Sequence, residues 1–259
     1  MNNKILLTFD VEEFDVPVEY EQKIDLEKQI EISTIGLQNV LALIEKHDVK
    51  CTFFTTAIFA LEQTELMKII ARTHEIASHG YEHSSFKNSD LKKSKETLEA
   101  LLDVKIFGYR MARLAPVDDS EIENSGYAYN SSMNPTWIPG RYNHFFKQRT
   151  PFQTGNVWNI PTSVTPVFRI PLFWLSFKQF PMWVLKKMML RTFEHDGYLS
   201  LYFHPWEFTD IKTFNLPTYI SKYSGEKMLQ RLEETILLLK NEGDFITMNE
   251  FVNNQKNNI

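Results

Sequence analysis

Cysteine and glycine are scarce in this sequence of 259 residues. The single cysteine, Cys51, cannot form a disulfide within the chain, and its surroundings, VKCTFFTT, are typical of a buried strand, so we predict a core position. Glycine occurs 9 times, and no glycine-rich loop that could cradle a phosphate is present. The sequence therefore gives little support to a nucleotide-binding fold.

Basic residues are outnumbered by acidic ones. The chain has 28 Lys and Arg against 33 Asp and Glu, which gives a formal net charge of −5 and a pI near 5.8. Nucleic-acid-binding proteins carry a basic surface, so we expect neither nucleic acid nor another anionic polymer as a partner. With 43% hydrophobic residues, the chain has enough apolar surface for a sizeable core.

Long apolar runs are absent as well. The N-terminus, MNNKILLTFD, leads directly into a strand pattern and does not resemble a signal peptide, so we expect a cytoplasmic protein. Residues 171–190, PLFWLSFKQFPMWVLKKMML, are rich in aromatic residues and methionine, but three lysines and an internal proline make them a poor membrane span. They form either a helix that covers the core or an interfacial surface that contacts a membrane, a lipid-linked glycan or another ligand.

Short strand-like runs alternate with longer helix-like runs, the rhythm of a parallel α/β sheet or barrel. The predicted strands are ILLTF, CTFFTT, EIASH, stretches near Ile106 and Tyr127, YLSLYF and FITM. The predicted helices lie near residues 25–47, 61–73 and 91–102, after Asp118, near residues 183–193, and from Gly225 to Gly243. We predict one domain over residues 1–252 and a frayed polar tail over residues 253–259.

Ionisable side chains recur where the predicted strands stop. Asp10 and Glu12 follow ILLTF, His79 and His83 follow EIAS, and His204 follows YLSLYF. In parallel α/β folds the ligand site forms at the carboxyl ends of the strands. We therefore expect these groups to converge although they are far apart in sequence.

The first four of these groups indicate a metal site. Asp10 and Glu12 point to the same face of an extended segment, with Val11 opposite, and a cation would stabilise two carboxylates in one small volume. Alternatively, they cap the following loop or helix. His79 and His83 can reach one ion through neutral nitrogens, although surface helices also produce this spacing by chance. Two histidines and one carboxylate form a facial triad that leaves positions open for water and substrate.

Arg110, in the stretch GYRMARL, follows another predicted strand. Its fixed fork of donors suits a carboxylate such as Asp10, which it would keep ionised and oriented. The alternative is a salt bridge at the rim of the fold.

Four segments together resemble the polysaccharide deacetylase family, also called carbohydrate esterase family 4. TFDVEE resembles the first motif, T-F-D-D; HGYEH the second, H-S/T-x-x-H; GYR the third; and LYFHPWE the last. They occur in the family's order and span residues 4 to 208. The resemblance implies a distorted (β/α) barrel and a divalent metal, with zinc expected, that helps to remove N-acetyl or O-acetyl groups from sugars.

The resemblance also implies roles for single residues. Asp10 takes the place of the general base, and Arg110 takes the place of the residue that tethers this base. His79 and His83 take the places of metal ligands, and His204 takes the place of the general acid. These residue types suit the chemistry, because a metal polarises the acetyl carbonyl, a carboxylate activates water and a protonated imidazole serves the leaving group.

Three positions depart from the family pattern. Val11 occupies the place of the usual metal-binding aspartate, so we predict that Glu12 supplies this ligand, as in a branch with a D-V-E first motif and an H-P-W-E last motif. Ala112 stands where one branch has proline. Asn130 replaces an aspartate that orients the acid histidine in relatives, and Glu207 is the nearest candidate to replace it.

Four further residues are expected to support the site or to contact substrate: Tyr109, Asn130, Trp206 and Glu207. Three functions fit the sequence. The first is metal-dependent removal of an acetyl group from a sugar of a cell-surface glycan or its precursor, and we expect an N-acetyl group rather than an O-acetyl group. The second is metal-independent, allantoinase-like hydrolysis of a C–N bond. The third is a degenerate, non-catalytic domain that binds glycans through Phe173, Trp174 and Trp183.

Overall fold

Strands and helices alternate in the structure much as the sequence predicts. The computed structural model describes residues 3–256. The strands are β1 (Asn3–Val11), β2 (Thr52–Thr55), β3 (Glu75–Ser78), β4 (Gly108–Tyr109), β5 (Tyr129–Asn130), β6 (Trp137–Ile138), β7 (Tyr142–Asn143), β8 (Phe152–Thr154), β9 (Val157–Asn159), β10 (Tyr198–Phe203) and β11 (Gly243–Phe245). The helices are α1 (Leu26–Lys46), α2 (Ala57–Glu62), α3 (Thr64–Ile70), α4 (Ser89–Leu102), α5 (Asp119–Asn124), α6 (Trp174–Gln179), α7 (Met182–Asp196), α8 (Thr218–Ser221), α9 (Glu226–Leu239) and α10 (Met248–Lys256).

The main sheet curls into a half-barrel around β1. Within residues 3–256 its order is β10, β1, β2, β3, β4, β5, β9 and β8, and β11 pairs with the start of β1. Neighbouring strands are parallel except β8 and β9. Beside β10, an irregular segment lines the open side, where the backbone N–H of Ser163 donates to the carbonyl of Ser200 at 2.9 Å. The predicted α/β class is confirmed, as a half-barrel.

β1 shows how one strand builds two packing layers. Residues 5–11 are all buried, as expected for a parallel strand covered on both faces. Ile5, Leu7, Phe9 and Val11 pack in the large cluster beneath the helices, whereas Leu6 joins a second cluster inside the curl of the sheet. Thr8 and Asp10 share the face of Leu6 by the same alternation, which directs the Asp10 carboxylate to the inside of the half-barrel.

Several predicted elements differ in detail. The helix expected over residues 61–73 is two helices, α2 and α3, because Gln63 leaves helical geometry at φ −122° and ψ 39°. The strand expected at FITM ends at Phe245, and Met248 already begins α10. Helix α10 includes residues 253–256 of the predicted tail, and residues 257–259 lie outside the described part of the chain. Cys51 is buried, as predicted.

Residues 171–190 form α6 and most of α7, and they mainly cover the core. Leu172, Phe177, Leu185 and Met189 are buried, whereas Trp183 is 64% exposed. The covering role is therefore the correct interpretation for most of this segment. None of the helices described between residues 3 and 256 is long and apolar enough to cross a membrane.

Helix α1 fixes the turn that follows β10. The chain leaves β10 at Phe203 and makes a 3-10 turn over Pro205–Phe208. Asn39 of α1 donates its side-chain N–H to the carbonyl of Phe208 at 3.0 Å. A Cβ atom at Gly36 would lie 1.8 Å from the carbonyl oxygen of Pro205, so only glycine allows this approach.

Replacing Gly36 with alanine should lower the free energy of unfolding by about 2 kcal/mol, because the methyl group would overlap the Pro205 carbonyl and force helix and turn apart. Urea unfolding would measure the change. The control, Gln38→Ala at an exposed position of the same helix, should stay within about 0.5 kcal/mol of the parent. An unchanged midpoint for Gly36→Ala would contradict this close packing.

Candidate functional site

Polar side chains from β1, the loop after β3 and the turn after β10 meet at one pocket with a volume of about 280 Å³. Asp10, Glu12, His83 and His204 are among its lining residues. Phe173, Trp174, Tyr202 and Trp206 add aromatic walls. The predicted convergence at the carboxyl ends of the strands therefore occurs in the structure.

Glu12 lies at the centre of a three-residue cluster. Its Oε2 atom is 3.1 Å from Nε2 of His79 and 3.1 Å from Nε2 of His83. One ligand atom from each residue lies within 4.8 Å of the other two, and all three residues are buried. Two imidazoles and a carboxylate at this spacing are a donor set that suits a divalent metal.

The remaining ring nitrogens support this interpretation. Nδ1 of His79 lies 2.9 Å from the backbone carbonyl oxygen of Arg110, a contact in which the ring must donate. Nδ1 of His83 lies 2.9 Å from Oδ1 of Asp15, close enough for a charge contact although outside ideal hydrogen-bond alignment. A proton on each Nδ1 leaves the lone pairs on the Nε2 atoms that face Glu12. The residues present therefore fit a metal.

Charges within the cluster oppose the effect of burial. Burial alone would raise the pKa of Glu12, but the nearby His83, His204 and His79 hold it well below its usual range. Burial lowers the pKa of His83, yet Glu12 and Asp15 raise it to about 9. A cation would compete with this proton for the imidazole, so metal binding should release protons and weaken as the pH falls.

Asp10 is tethered by Arg110, as the sequence suggested. Nη1 of Arg110 donates to Oδ1 of Asp10 at 2.6 Å and to Oγ1 of Thr8 at 2.9 Å. Its other donors bind Ser131, and the guanidinium lies 4.0 Å from the ring centre of Phe54. Because Arg110 is fully buried, the alternative of a rim salt bridge is wrong.

His204 is held by Glu207. Oε1 of Glu207 lies 3.0 Å from Nδ1 of His204. The same oxygen accepts the backbone N–H of His204 at 2.7 Å. Nζ of Lys178, itself fully buried, lies 3.8 Å from the other carboxylate oxygen. Burial lowers the pKa of His204, but Glu12 and Glu207 raise it above the usual value. The imidazole therefore keeps its proton more readily than a free histidine.

Trp206 walls the pocket and also contacts the cluster. Its Nε1–H donates to Oε1 of Glu12 at 3.2 Å, and its ring stacks on His204 with 5.0 Å between ring centres. Of the aromatic residues proposed to bind glycans, Phe173 and Trp174 line the pocket. Trp183 is not among the lining residues and lies on α7.

Tyr109 and Asn130 lie outside the pocket. Strand alternation turns Tyr109 into the helix-covered cluster, because its neighbour Arg110 points into the half-barrel. The Asn130 amide donates to Asp119 at 3.0 Å and accepts the backbone N–H of Ser132 at 3.0 Å. Substrate contact by these two residues and direct support of His204 by Asn130 are therefore not seen in the structure.

Three charged residues were missed as parts of the site: Asp15, Arg113 and Lys178. Arg113 donates to Asp15 at 3.0 Å and so supports the partner of His83. It lies in the turn that begins at Ala112, where Arg113 and Leu114 both have positive φ. The position of Asp15, three residues after Glu12, was the available sequence signal, whereas Lys178 offered none.

The sequence and the fold were compared with known proteins. Residues 2–116 match the family model described as polysaccharide deacetylase. The resemblance to polysaccharide deacetylases is confirmed. None of the curated proteins matches the sequence.

Three solved structures share the polysaccharide deacetylase fold at low identity. A Mycobacterium smegmatis protein described as a polysaccharide deacetylase is 18% identical, with a TM-score of 0.67 over 97% of this chain and 89% of that one. An allantoinase is 14% identical, with a TM-score of 0.67 over 96% and 89%. A carbohydrate esterase family 4 pseudoenzyme from Bacillus anthracis is 15% identical, with a TM-score of 0.54 over 97% and 66%. Since active and inactive proteins share the fold, activity must be argued from the site.

Glu12→Gln should weaken zinc binding to metal-stripped protein by about 100-fold or more, because the central carboxylate is lost, and Asp15→Asn by about 10-fold, because only support for His83 is lost. Isothermal titration calorimetry measures both affinities. Glu13→Gln is the matched control, since this neighbouring buried carboxylate accepts from Thr56 at 2.7 Å and lies outside the cluster. Equal affinities for Glu12→Gln and Glu13→Gln would rule out the metal site as assigned.

Proposed function

We propose that the protein is a metal-dependent hydrolase that removes an acetyl group, preferentially N-acetyl, from a sugar of a cell-surface glycan or its precursor, which it meets in the cytoplasm. One observation carries the proposal: the Glu12 cluster, the tethered carboxylate of Asp10 and the imidazole of His204 surround one pocket. Metal site, base and acid are the three parts that this hydrolysis needs.

The pocket also suits a sugar. Its volume of about 280 Å³ lies near the lower end of the range for small-molecule sites and is enough for one sugar ring with its acetyl group. Trp174 and Tyr202 offer apolar ring faces beside polar atoms, the combination on which sugar rings pack. We propose that one ring enters the pocket and that the rest of a longer glycan stays outside.

Glu12, His79 and His83 would hold the metal, with zinc as the proposed ion. When bound, a divalent cation supplies Lewis-acid polarisation of the acetyl carbonyl and lowers the pKa of water. The His83–Asp15 and His79–Arg110 contacts orient the two imidazoles for this task.

Asp10 would accept the proton of the attacking water. Arg110 donates to one oxygen of this carboxylate at 2.6 Å and fixes it, which leaves the other oxygen available to the pocket. The buried guanidinium thus acts through Asp10 and has no contact with substrate in this scheme.

His204 would give its proton to the leaving nitrogen. Glu207 binds Nδ1, so Nε2 faces the pocket, 3.9 Å from Oε1 of Glu12. The raised pKa of His204 favours the protonated acid, and the acid is lost as the pH rises through that pKa.

Metal removal should abolish release of acetate from N-acetylglucosamine oligosaccharides, and added zinc or cobalt should restore it. Asp10→Asn and His204→Ala should each lower kcat by about 100-fold or more in the metal-loaded enzyme, because each removes one proton-transfer step. The control His195→Ala, at an exposed position of α7, should keep full activity. If the parent never turns over but still binds the oligosaccharides, and His204→Ala binds them equally well, the protein is instead a glycan-binding domain.

A metal-independent C–N hydrolase is the second candidate. Val11, in the place of the family's metal-binding aspartate, is fully buried, and an allantoinase shares the fold. Turnover of a cyclic amide such as allantoin by chelated and dialysed protein, without turnover of acetylated sugars, would favour this function over the first.

Glu207→Gln should move the alkaline limb of the kcat profile to lower pH, because the amide keeps the hydrogen bond but removes the charge that raises the pKa of His204. Rates measured between pH 6 and 10 would show the shift. Glu13→Gln should leave the limb in place. An unmoved limb in Glu207→Gln would remove Glu207 as the partner of the acid.

A further inference from the structure

The net charge of −5 conceals a very uneven distribution. From Asn124 to Phe193 the sequence contains no Asp or Glu but eight Lys and Arg. The rest of the chain holds all 33 acidic residues and only 20 of the 28 basic ones, a formal charge of −13. A stretch of 70 residues is thus purely cationic in sequence, although Arg141, Arg149 and Lys178 pair with carboxylates outside it.

The same acid-free stretch carries the most exposed large hydrophobic side chains of the described structure. They are Trp137 at 61%, Phe146 at 92%, Val167 at 63%, Phe168 at 76% and Trp183 at 64%. The next most exposed, Val18 and Ile69, reach 53%. Exposed aromatic side chains concentrated in one stretch mark a surface that contacts something apolar.

Arg169 connects three loops of this stretch. Its carbonyl oxygen accepts the hydroxyl of Thr136 at 2.6 Å, and its guanidinium donates to the carbonyl of Lys147 at 2.9 Å. The guanidinium also lies 5.9 Å from the ring centre of Phe145. The chain segments around residues 136, 146 and 168 are therefore neighbours in space.

We call the exposed side chains of these three loops the tip surface: Trp137, Phe146, Lys147, Val167 and Phe168. Arg169 contacts Lys147 directly, at the Lys147 carbonyl oxygen. Each of the other four lies within two residues of Arg169 or of a residue that Arg169 contacts. The tip surface also adjoins the pocket, because Ile138, Pro139, Arg141 and Tyr142 of the β6–β7 hairpin line it.

We propose that the tip surface docks the protein on an anionic lipid bilayer. Trp and Phe side chains at loop tips partition into the headgroup region, and a cation beside them, here Lys147, is attracted to anionic lipids. A soluble polyanion would bind the cations but offers nothing to exposed Phe146 and Phe168. Docking would present the adjoining pocket mouth to the bilayer surface, and it does not depend on the reaction proposed above.

The test is flotation of the full chain with vesicles of phosphatidylcholine, with and without phosphatidylglycerol. Binding should need phosphatidylglycerol and weaken as salt is raised. Phe146→Ser combined with Phe168→Ser should lower the partition coefficient by about tenfold or more. Lys147→Glu should lower it by about fivefold.

Two controls match these variants. Ile69→Ser removes an apolar side chain that is 53% exposed on α3, and Lys92→Glu reverses a charge with 70% side-chain exposure on α4. Both should bind vesicles like the parent. If the parent binds vesicles but releases no acetate from N-acetylated oligosaccharides, the result counts against the proposed reaction and not against docking.

Three results would overturn the proposal. They are no binding of the parent to phosphatidylglycerol vesicles, equal losses in the variants and their controls, and a loss with Lys147→Glu but not with the double phenylalanine variant. The last result would assign the surface to a soluble anionic polymer, which binding to heparin would reveal.

Discussion

The Glu12 carboxylate is the contact on which the candidate site depends. One oxygen faces both imidazoles at 3.1 Å, and the other accepts the Trp206 N–H at 3.2 Å. Elements separated by almost 200 residues therefore meet at a single side chain. A fully buried carboxylate is costly unless it is surrounded by donors or cations, so its surroundings must be assembled together with the fold.

The surrounding charges are compensated in three series of ion pairs, two of them buried and one reaching the half-exposed Arg113. Arg110 pairs with Asp10, Arg113 with the Asp15 that faces His83, and Lys178 with the Glu207 that binds His204. Each series begins at an arginine or lysine, contains a carboxylate and ends at a group that faces the pocket. This order keeps the pocket groups oriented, because each cation acts on them through a carboxylate.

How much the sequence could predict depended on how local each interaction is. Strand alternation put Asp10 and Glu12 on one face, and three-residue spacing paired His204 with Glu207, so both could be inferred along the chain. The Asp15–His83 contact and the burial of Lys178 arise from packing between distant segments, which no local pattern encodes. A tertiary contact likewise commits the Asn130 side chain to Asp119, and Glu207, the candidate that the sequence offered in its place, contacts His204. The functional roles of these residues stay predictions.

The D-V-E and H-P-W-E stretches are linked physically. With Val11 packed in the core, a carboxylate one residue further along must reach the histidines from beyond the end of β1. A glutamate has the length for this but also an extra rotatable bond, so it needs a second anchor. Trp206 provides that anchor by binding Oε1, and the turn that carries it is pressed against Gly36 of α1. The position of the Glu12 carboxylate therefore depends on a glycine in a helix that takes no part in the pocket.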